Sequence, residues 1–311
     1  MLQRLLRRTT AAAASVGVQL SSDGVSIAIN SGVSDAGGHR PSGSEASGHA
    51  AAARGQASSV SCKPEAWHNQ LDALARELGL AKGTPANLVL PPDAYALLLV
   101  EPPDVPPAEL KEAIRWRVRE LVSFNVDDAI LDVFAFPEEA AKGRKTCFVA
   151  VAERRVLQPQ VDAVRDSRLE LRSIDITELA LRNLIPDECE EPVALLYAHG
   201  QTGLIAVLKA GRLFLSRRIE LPSIPDDRSI DLVLLQLQRS MDYFDSQLGQ
   251  GVVNTVLSCM PAEFERDGLR RLQEMLPFPV HRLGDWLEQR GGLRVQNGLA
   301  AAAGAACRRR A

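Results

Sequence analysis

Hydrophobic and polar positions along the chain fall into two series with the same order. Residues 16–20 and 25–30 alternate around Ser21-Ser22-Asp23-Gly24, which predicts a hairpin. A short third strand near Val60 follows, then a helix over 64–78 in which Pro64 opens the first turn and Trp67, Leu71, Leu74 and Leu78 recur at helical spacing. Apolar runs at 87–91 and 95–101 have strand length and read as strands buried on both faces. The second series starts at 193–219, three strands with tight turns at His199-Gly200-Gln201-Thr202-Gly203 and Ala210-Gly211. A long helix over 230–248 with one continuous apolar stripe and a buried strand over 252–259 complete it.

Between the series the pattern changes. Pro102, Pro103, Pro106 and Pro107 mark a boundary, beyond which Leu110, Ile114, Val118, Leu121 and Val122 define an amphipathic helix. Its polar face carries Lys111, Arg115, Arg117 and Arg119. Strands at 129–136 and 146–152 close a small αββ insert over 102–152. A helix over 153–166 leads to a strand ending at Asp175 and a helix with Thr177 as its expected cap. The chain closes with a helix over 262–275, a strand over 278–282 and a helix near 296–306.

The two series share little residue identity, so the repeat is one of architecture. Two βββαβα halves with crossover helices imply an α/β protein whose mixed sheets face each other across a cleft. The first half spans 16–190 and the second 191–311, preceded by a basic lead over 1–15. Residues 31–57, rich in Gly, Ser, Ala and His, read as a flexible loop, and His39 and His49 within it do not form a metal motif.

Composition narrows the function. The chain has 311 residues and a formal net charge of −3, so no overall basic field points to nucleic acid. Five scattered cysteines without a CxxC pair read as reduced, mostly buried thiols of a cytoplasmic protein, and no zinc spacing is present. No stretch approaches the roughly 20 apolar residues that span a bilayer. "GLAAAAGAAC" (298–307) is short and weakly hydrophobic, and the terminal arginines 308–310 read as a solvated tail or a lipid contact. His199 and His281 are isolated and expected to be satisfied structural histidines; no Ser-His-Asp arrangement, nucleophile elbow or Walker loop appears.

Specific blocks carry a resemblance. "AIRWRVRELVSFNVDDAILDVFAFP" (113–137), "SIDITELALRNL" (173–184), "VLKAGRLFLSRRI" (207–219) and "LQRSMDYFDSQLG" (237–249) resemble blocks of the PilM-like type IV pilus assembly family, most closely its MSHA pilus biogenesis branch. The resemblance implies an actin-like (ribonuclease H-like) fold and a place at the cytoplasmic face of the inner membrane. It also implies a partner, the cytoplasmic tail of a bitopic inner-membrane pilus protein. The tail would be held in the groove between the first half and the insert, with Arg115, Arg117 and Arg119 on its rim.

Active members of that family carry an Asp-x-Gly turn in each half and a Gly-Gly element near the adenosine. Here "GVQLSSDG" (17–24) places Gln19 where the acid belongs and Ser21 where the glycine belongs. "LYAHGQTG" (196–203) keeps Gly200 and Gly203 but has Ala198 in the acid position, and Cys259-Met260-Pro261 replaces the paired glycines. Asp23 reads as a turn residue and Asp175 as a vestigial acid. The junction over 220–229 is too short for the small subdomain expected there. The sequence therefore predicts an adaptor without a working Mg-ATP site. An ATPase with weak retained nucleotide binding, or a type II secretion platform component of the same fold, are the alternatives.

Overall fold

The computed structural model describes residues 15–30, 56–106, 108–143, 145–222, 226–261, 264, 268–290 and 294–308. The basic lead up to residue 14 and residues 31–55 of the loop expected over 31–57, with His39 and His49, lie outside the described residues; residues 56–57 belong to a strand.

Each half is built on a five-stranded sheet of the same order. In the first half β1 (Ser15–Ser21), β2 (Gly24–Asn30) and β3 (Gln56–Val60) form an antiparallel meander, while β4 (Thr84–Leu90) and β8 (Leu169–Ile176) add parallel strands in the order β3-β2-β1-β4-β8. In the second half β9 (Val193–His199), β10 (Thr202–Lys209), β11 (Arg212–Glu220), β12 (Thr255–Cys259) and β13 (Val280–Arg282) repeat it as β11-β10-β9-β12-β13. The central strands β1 and β9 are buried almost throughout, and β9 accordingly reads as a near-continuous apolar run. Helix α1 (Trp67–Glu77) covers the first sheet with Trp67, Leu71, Leu74 and Ala75.

The strand β5 (Ala96–Val100) departs from its expected place. It is mostly half-exposed, with Leu99 49% accessible, and it pairs with β7 (Cys147–Glu153) rather than with the first sheet. With β6 (Ala129–Ala135) on the other side of β7, the insert is a three-stranded sheet of order β5-β7-β6 that starts before Pro102. Helix α2 (Leu110–Val118) packs Ile114 and Val118 onto it, and the short helix α3 (Glu138–Ala141) precedes β7. A run of apolar residues did not distinguish a doubly buried strand from an edge strand with one wet face.

Helix α4 (Arg154–Arg165) leads into β8, and α5 (Thr177–Arg182) follows it directly. Thr177 is not a cap: Ile176 holds that position, and the Thr177 hydroxyl donates to the Leu90 carbonyl at 2.8 Å, tying the ends of β8 and β4. Helix α6 (Asp227–Asp242) starts earlier than its apolar stripe suggested. Asp226 and Ser229 form a reciprocal capping box, in which the Ser229 N–H donates to Asp226 at 2.8 Å. The stripe continues past α6 through a π-helical turn (Tyr243–Gln247). Helices α7 (Arg270–Met275) and α8 (Leu283–Gln289) complete the second half; the sequence pattern had not separated α8.

The last helix, α9 (Ala300–Ala306), crosses back onto the first half. It lies between the first sheet and α5, so close that a Cβ on Gly17 would sit 1.9 Å from the Ala302 carbonyl oxygen. A Cβ on Gly304 would fall 2.0 Å from the Ala180 carbonyl oxygen. Asn87 donates to the Ala305 carbonyl at 2.9 Å and Asn183 to the Gly304 carbonyl at 3.2 Å, fixing the helix from both sides. Gly304→Val should lower stability by about 3 kcal/mol or more, because backbone rather than a movable side chain opposes the new atoms. Thermal unfolding should show a midpoint lower by roughly 6 °C; an unchanged midpoint would refute the close seating.

Candidate functional site

Two concave regions concern function: the cleft between the halves, and the groove between the first half and the insert. At the cleft, the β1–β2 hairpin turns at Ser22-Asp23 and the β9–β10 hairpin at Gly200-Gln201. Because Ser21 pairs with Gly24 and His199 with Thr202, Gln19 and Tyr197 occupy equivalent positions, each two residues before the last paired residue of its strand. Side chains alternate across a strand, so Ala198 points to the opposite face from Tyr197. The acid position of the second hairpin therefore corresponds to Tyr197, one residue before the Ala198 expected from sequence.

Gln19 and Tyr197 meet. The Gln19 Nε2 donates to the Tyr197 hydroxyl at 3.1 Å, and both residues are at most 3% exposed. Burial pushes the Tyr197 phenol up from its usual range, so it is a neutral group. Above this bond the two turns approach each other, and a Cβ on Gly200 would lie 3.6 Å from the Asp23 carboxylate. Gly200 needs its positive φ of 54° for the turn. Gly203 serves packing: a Cβ there would meet Ile219 at 2.5 Å. Ser21 is buried, its hydroxyl accepts from the Asp23 N–H at 3.3 Å, and its carbonyl accepts from the Trp67 indole at 2.9 Å. Cys259 and Met260 are buried in the core of the second half.

A magnesium-bound triphosphate needs a carboxylate at the end of the strand leading into these hairpins to orient the metal's water shell, and open space for the phosphates. The residues present do not fit it. An amide and a phenol hold the equivalent positions and bond to each other, and the facing turns narrow the space above them. Among the described residues, no group of three or more His, Cys, Asp or Glu could hold a metal.

His199 departs from expectation. Its Nε2 is buried without a hydrogen-bond partner. Burial lowers its pKa, outweighing the opposite pull of Asp23 and Asp93.

Asp175 stands in the same cross-strand row as Gln19, with Val89 between them, and on the same face of the sheet. It is 7% exposed and burial raises its pKa, against the pull of Arg308, whose guanidinium lies 3.3 Å away. Arg308 is thus engaged with the first sheet rather than a solvated tail; residues 309–311 lie outside the described residues. A further buried acid, Glu178 on α5, had no sequence signal. Tyr95 donates to it, Ser216 donates at 2.8 Å, and Arg218 lies 4.7 Å over the Tyr95 ring, joining the first half to β11.

The groove beside the insert has a volume of about 270 Å³ and runs between β8 and β6, the edge strands of their sheets. Leu90, Tyr95, Ile130 and Ile174 line it, and Lys111 pairs with Asp132 at 2.7 Å on its wall. None of the three arginines singled out from sequence lines it. Arg115 donates to the carbonyls of Val126 and Ala129 at 2.8 and 3.0 Å, a structural role. Arg119 stacks on the exposed Trp116, and Arg117 is exposed. What the sequence missed was the pair of strand edges, legible only once both sheet orders are known.

Two outcomes test the cleft. Tyr197→Phe should cost about 1–3 kcal/mol by stranding the buried Gln19 amide, and Gln19→Leu with Tyr197→Phe should recover part of it in chemical unfolding. For His199, the folded state binds the proton less tightly than the unfolded state. Its stabilising contribution is therefore complete above about pH 6.5 and is lost as pH falls through the depressed folded value. Replacement by Phe should flatten the stability profile as pH falls below about 6.5.

No family model matches the sequence, and no curated protein matches it. Solved structures do. A chain of a PilM-PilN type IV pilus biogenesis complex is similar with a TM-score of 0.71 and 15% identity, over 94% of this chain and 97% of that one. A Bacteroides thetaiotaomicron protein of actin-like ATPase fold and unknown function gives a TM-score of 0.52 and 9% identity, over 95% and 98% of the two chains. The cytoplasmic domain of EpsL, an inner membrane component of the Vibrio cholerae type II secretion system, gives 0.49 and 14% identity over 80% and 82%. At such identities the likeness is one of fold, and the chain has the actin-like fold.

Proposed function

We propose that this chain is a non-hydrolysing actin-like adaptor of type IV pilus biogenesis, of the MSHA type. It binds the cytoplasmic tail of a bitopic inner-membrane pilus protein and works at the cytoplasmic face of that membrane through this partner. The observation that carries the reading is the groove between the free edges of β8 and β6, where an extended segment can take up main-chain hydrogen bonds and side-chain pockets together. The half-exposed Ile130 and Ile174 supply apolar contact at its two walls. Similarity to a chain solved as part of a PilM-PilN complex supports a protein partner rather than a small-molecule substrate. Lys111 on the groove wall, with Arg117 on α2 and Arg119 just past its end, would steer an acidic flank of the tail; Arg115 is committed to its own loop. The Gln19–Tyr197 bond at the floor of the cleft supports the absence of hydrolysis.

A synthetic peptide of the tail should bind the full chain, and Ile174→Asp or Ile130→Asp should weaken it by about tenfold or more, the worth of roughly 1.4 kcal/mol. Equal binding by these variants would remove the groove assignment. Calorimetry with Mg-ATP should show no binding tighter than about 100 μM; tighter binding that is lost on substituting Asp175 or Gly200 would favour the ATPase reading instead.

A further inference from the structure

Arg308 joins two observations that neither the fold nor the cleft explains. Its guanidinium Nη1 donates to the Ile174 carbonyl at 3.4 Å and lies 3.3 Å from Asp175 Oδ2. The other carboxylate oxygen, Asp175 Oδ1, accepts from the Ile176 N–H at 3.1 Å. One ion pair therefore engages a carbonyl on one side of Asp175 and an amide on the other.

These two groups have a particular meaning on an edge strand. Within a strand, the N–H and C=O of one residue point to the same side, and those of the next residue to the other. Ile174 and Ile176 share a side. In a parallel ladder, the residue opposite Asp175 would donate to the Ile174 carbonyl and accept from the Ile176 N–H; in an antiparallel one, two residues would divide the same bonds. Among the described residues, β8 pairs with β4 on one edge and with no strand on the other. The groove lies along that free edge, with Ile174, Asp175 and Ile176 in its lining.

We propose that Arg308 and the Asp175 carboxylate it pairs with form a latch on the free edge of β8, the arginine covering the Ile174 carbonyl and the carboxylate the Ile176 N–H, until an extended tail entering the groove displaces them. The inference rests on the docking reading given above and adds regulation to it. Charged side chains that cover an edge strand also keep it from pairing with the wrong chain. The latch is suited to release. Asp175 is 7% exposed and held by its own strand, whereas the Arg308 side chain is 40% exposed, and its bond to Ile174 is long. The side chain reaches the edge from the end of α9, on the face of the sheet where Asn87 meets Ala305 and Ser173 meets Asn87. The groove's apolar lining comes instead from Leu90, Ile174 and Ile176, which alternate onto the other face. Tail and latch therefore approach the same backbone from opposite faces and compete for it.

The test compares the full wild-type chain with Arg308→Ala, and with Arg308→Ala combined with Asp175→Asn, which leaves no unpaired buried charge. Hydrogen exchange of the amides over 174–176 reads the latch without any partner; the exchange should quicken about tenfold in Arg308→Ala. The tail peptide should bind Arg308→Ala and the double variant about fivefold more tightly than wild type, a gain of roughly 1 kcal/mol. Unchanged exchange would overturn the latch. Faster exchange with equal peptide affinity would overturn its regulatory role while leaving the groove reading intact. Faster exchange with no peptide binding to any variant would refute the groove reading, and with it the competition.

Discussion

The structure depends on a backbone-to-backbone contact. Helix α9, drawn from the end of the chain, is seated between the first sheet and α5 at a distance only glycine permits. Gly17 admits it from the sheet side and Gly304 lets it approach α5. Three methyl-sized side chains at the contact, Ala28, Ala302 and Ala306, form its small apolar cluster. Such an interface gains little per residue from apolar area, but it admits no bulkier residue at the two glycines. Everything that concerns function stands on it. The row Gln19, Val89 and Asp175 lies on the same face of the sheet, and Arg308 follows directly from the end of the helix.

The second organising interaction is the meeting of Gln19 and Tyr197. They are the same position in the two halves, so their hydrogen bond lies where duplicated hairpins face each other. Nearby, Tyr95, Glu178 and Ser216 form a buried polar cluster across the same boundary. A fully buried carboxylate is tolerated there because two hydroxyl donors satisfy it. The halves are thus joined by specific polar bonds at the cleft floor and by apolar packing around them, with Val89, Phe136, Phe148 and Ala180 merging into the core of the second half.

Much of the fold was legible in the sequence because it is written in periodicity. Both hairpins, the buried strands and the α1 and α6 stripes follow from spacing alone. Three features were not. The partner sheet of β5 depends on pairing, which a run of leucines does not encode. The equivalence of Tyr197 to Gln19 depends on register, and a shift of one residue reverses the face on which a side chain stands. The seating of α9 on the first half did not show, although the helix itself was expected near 296–306, because helices that pack by close approach carry small residues rather than large apolar ones. At the candidate site, the loss of the expected acids could be read from Gln19 directly, whereas the edges of β8 and β6 and the pairing of Asp175 with Arg308 join residues far apart in the chain.

The bond between Gln19 and Tyr197 has a mechanical consequence. A cleft between two mobile lobes ordinarily admits a ligand first and closes afterwards. Here the two lobes are already joined at the cleft floor by a buried amide and a phenol, so opening the cleft to its floor means parting that bond and exposing two buried polar groups to water.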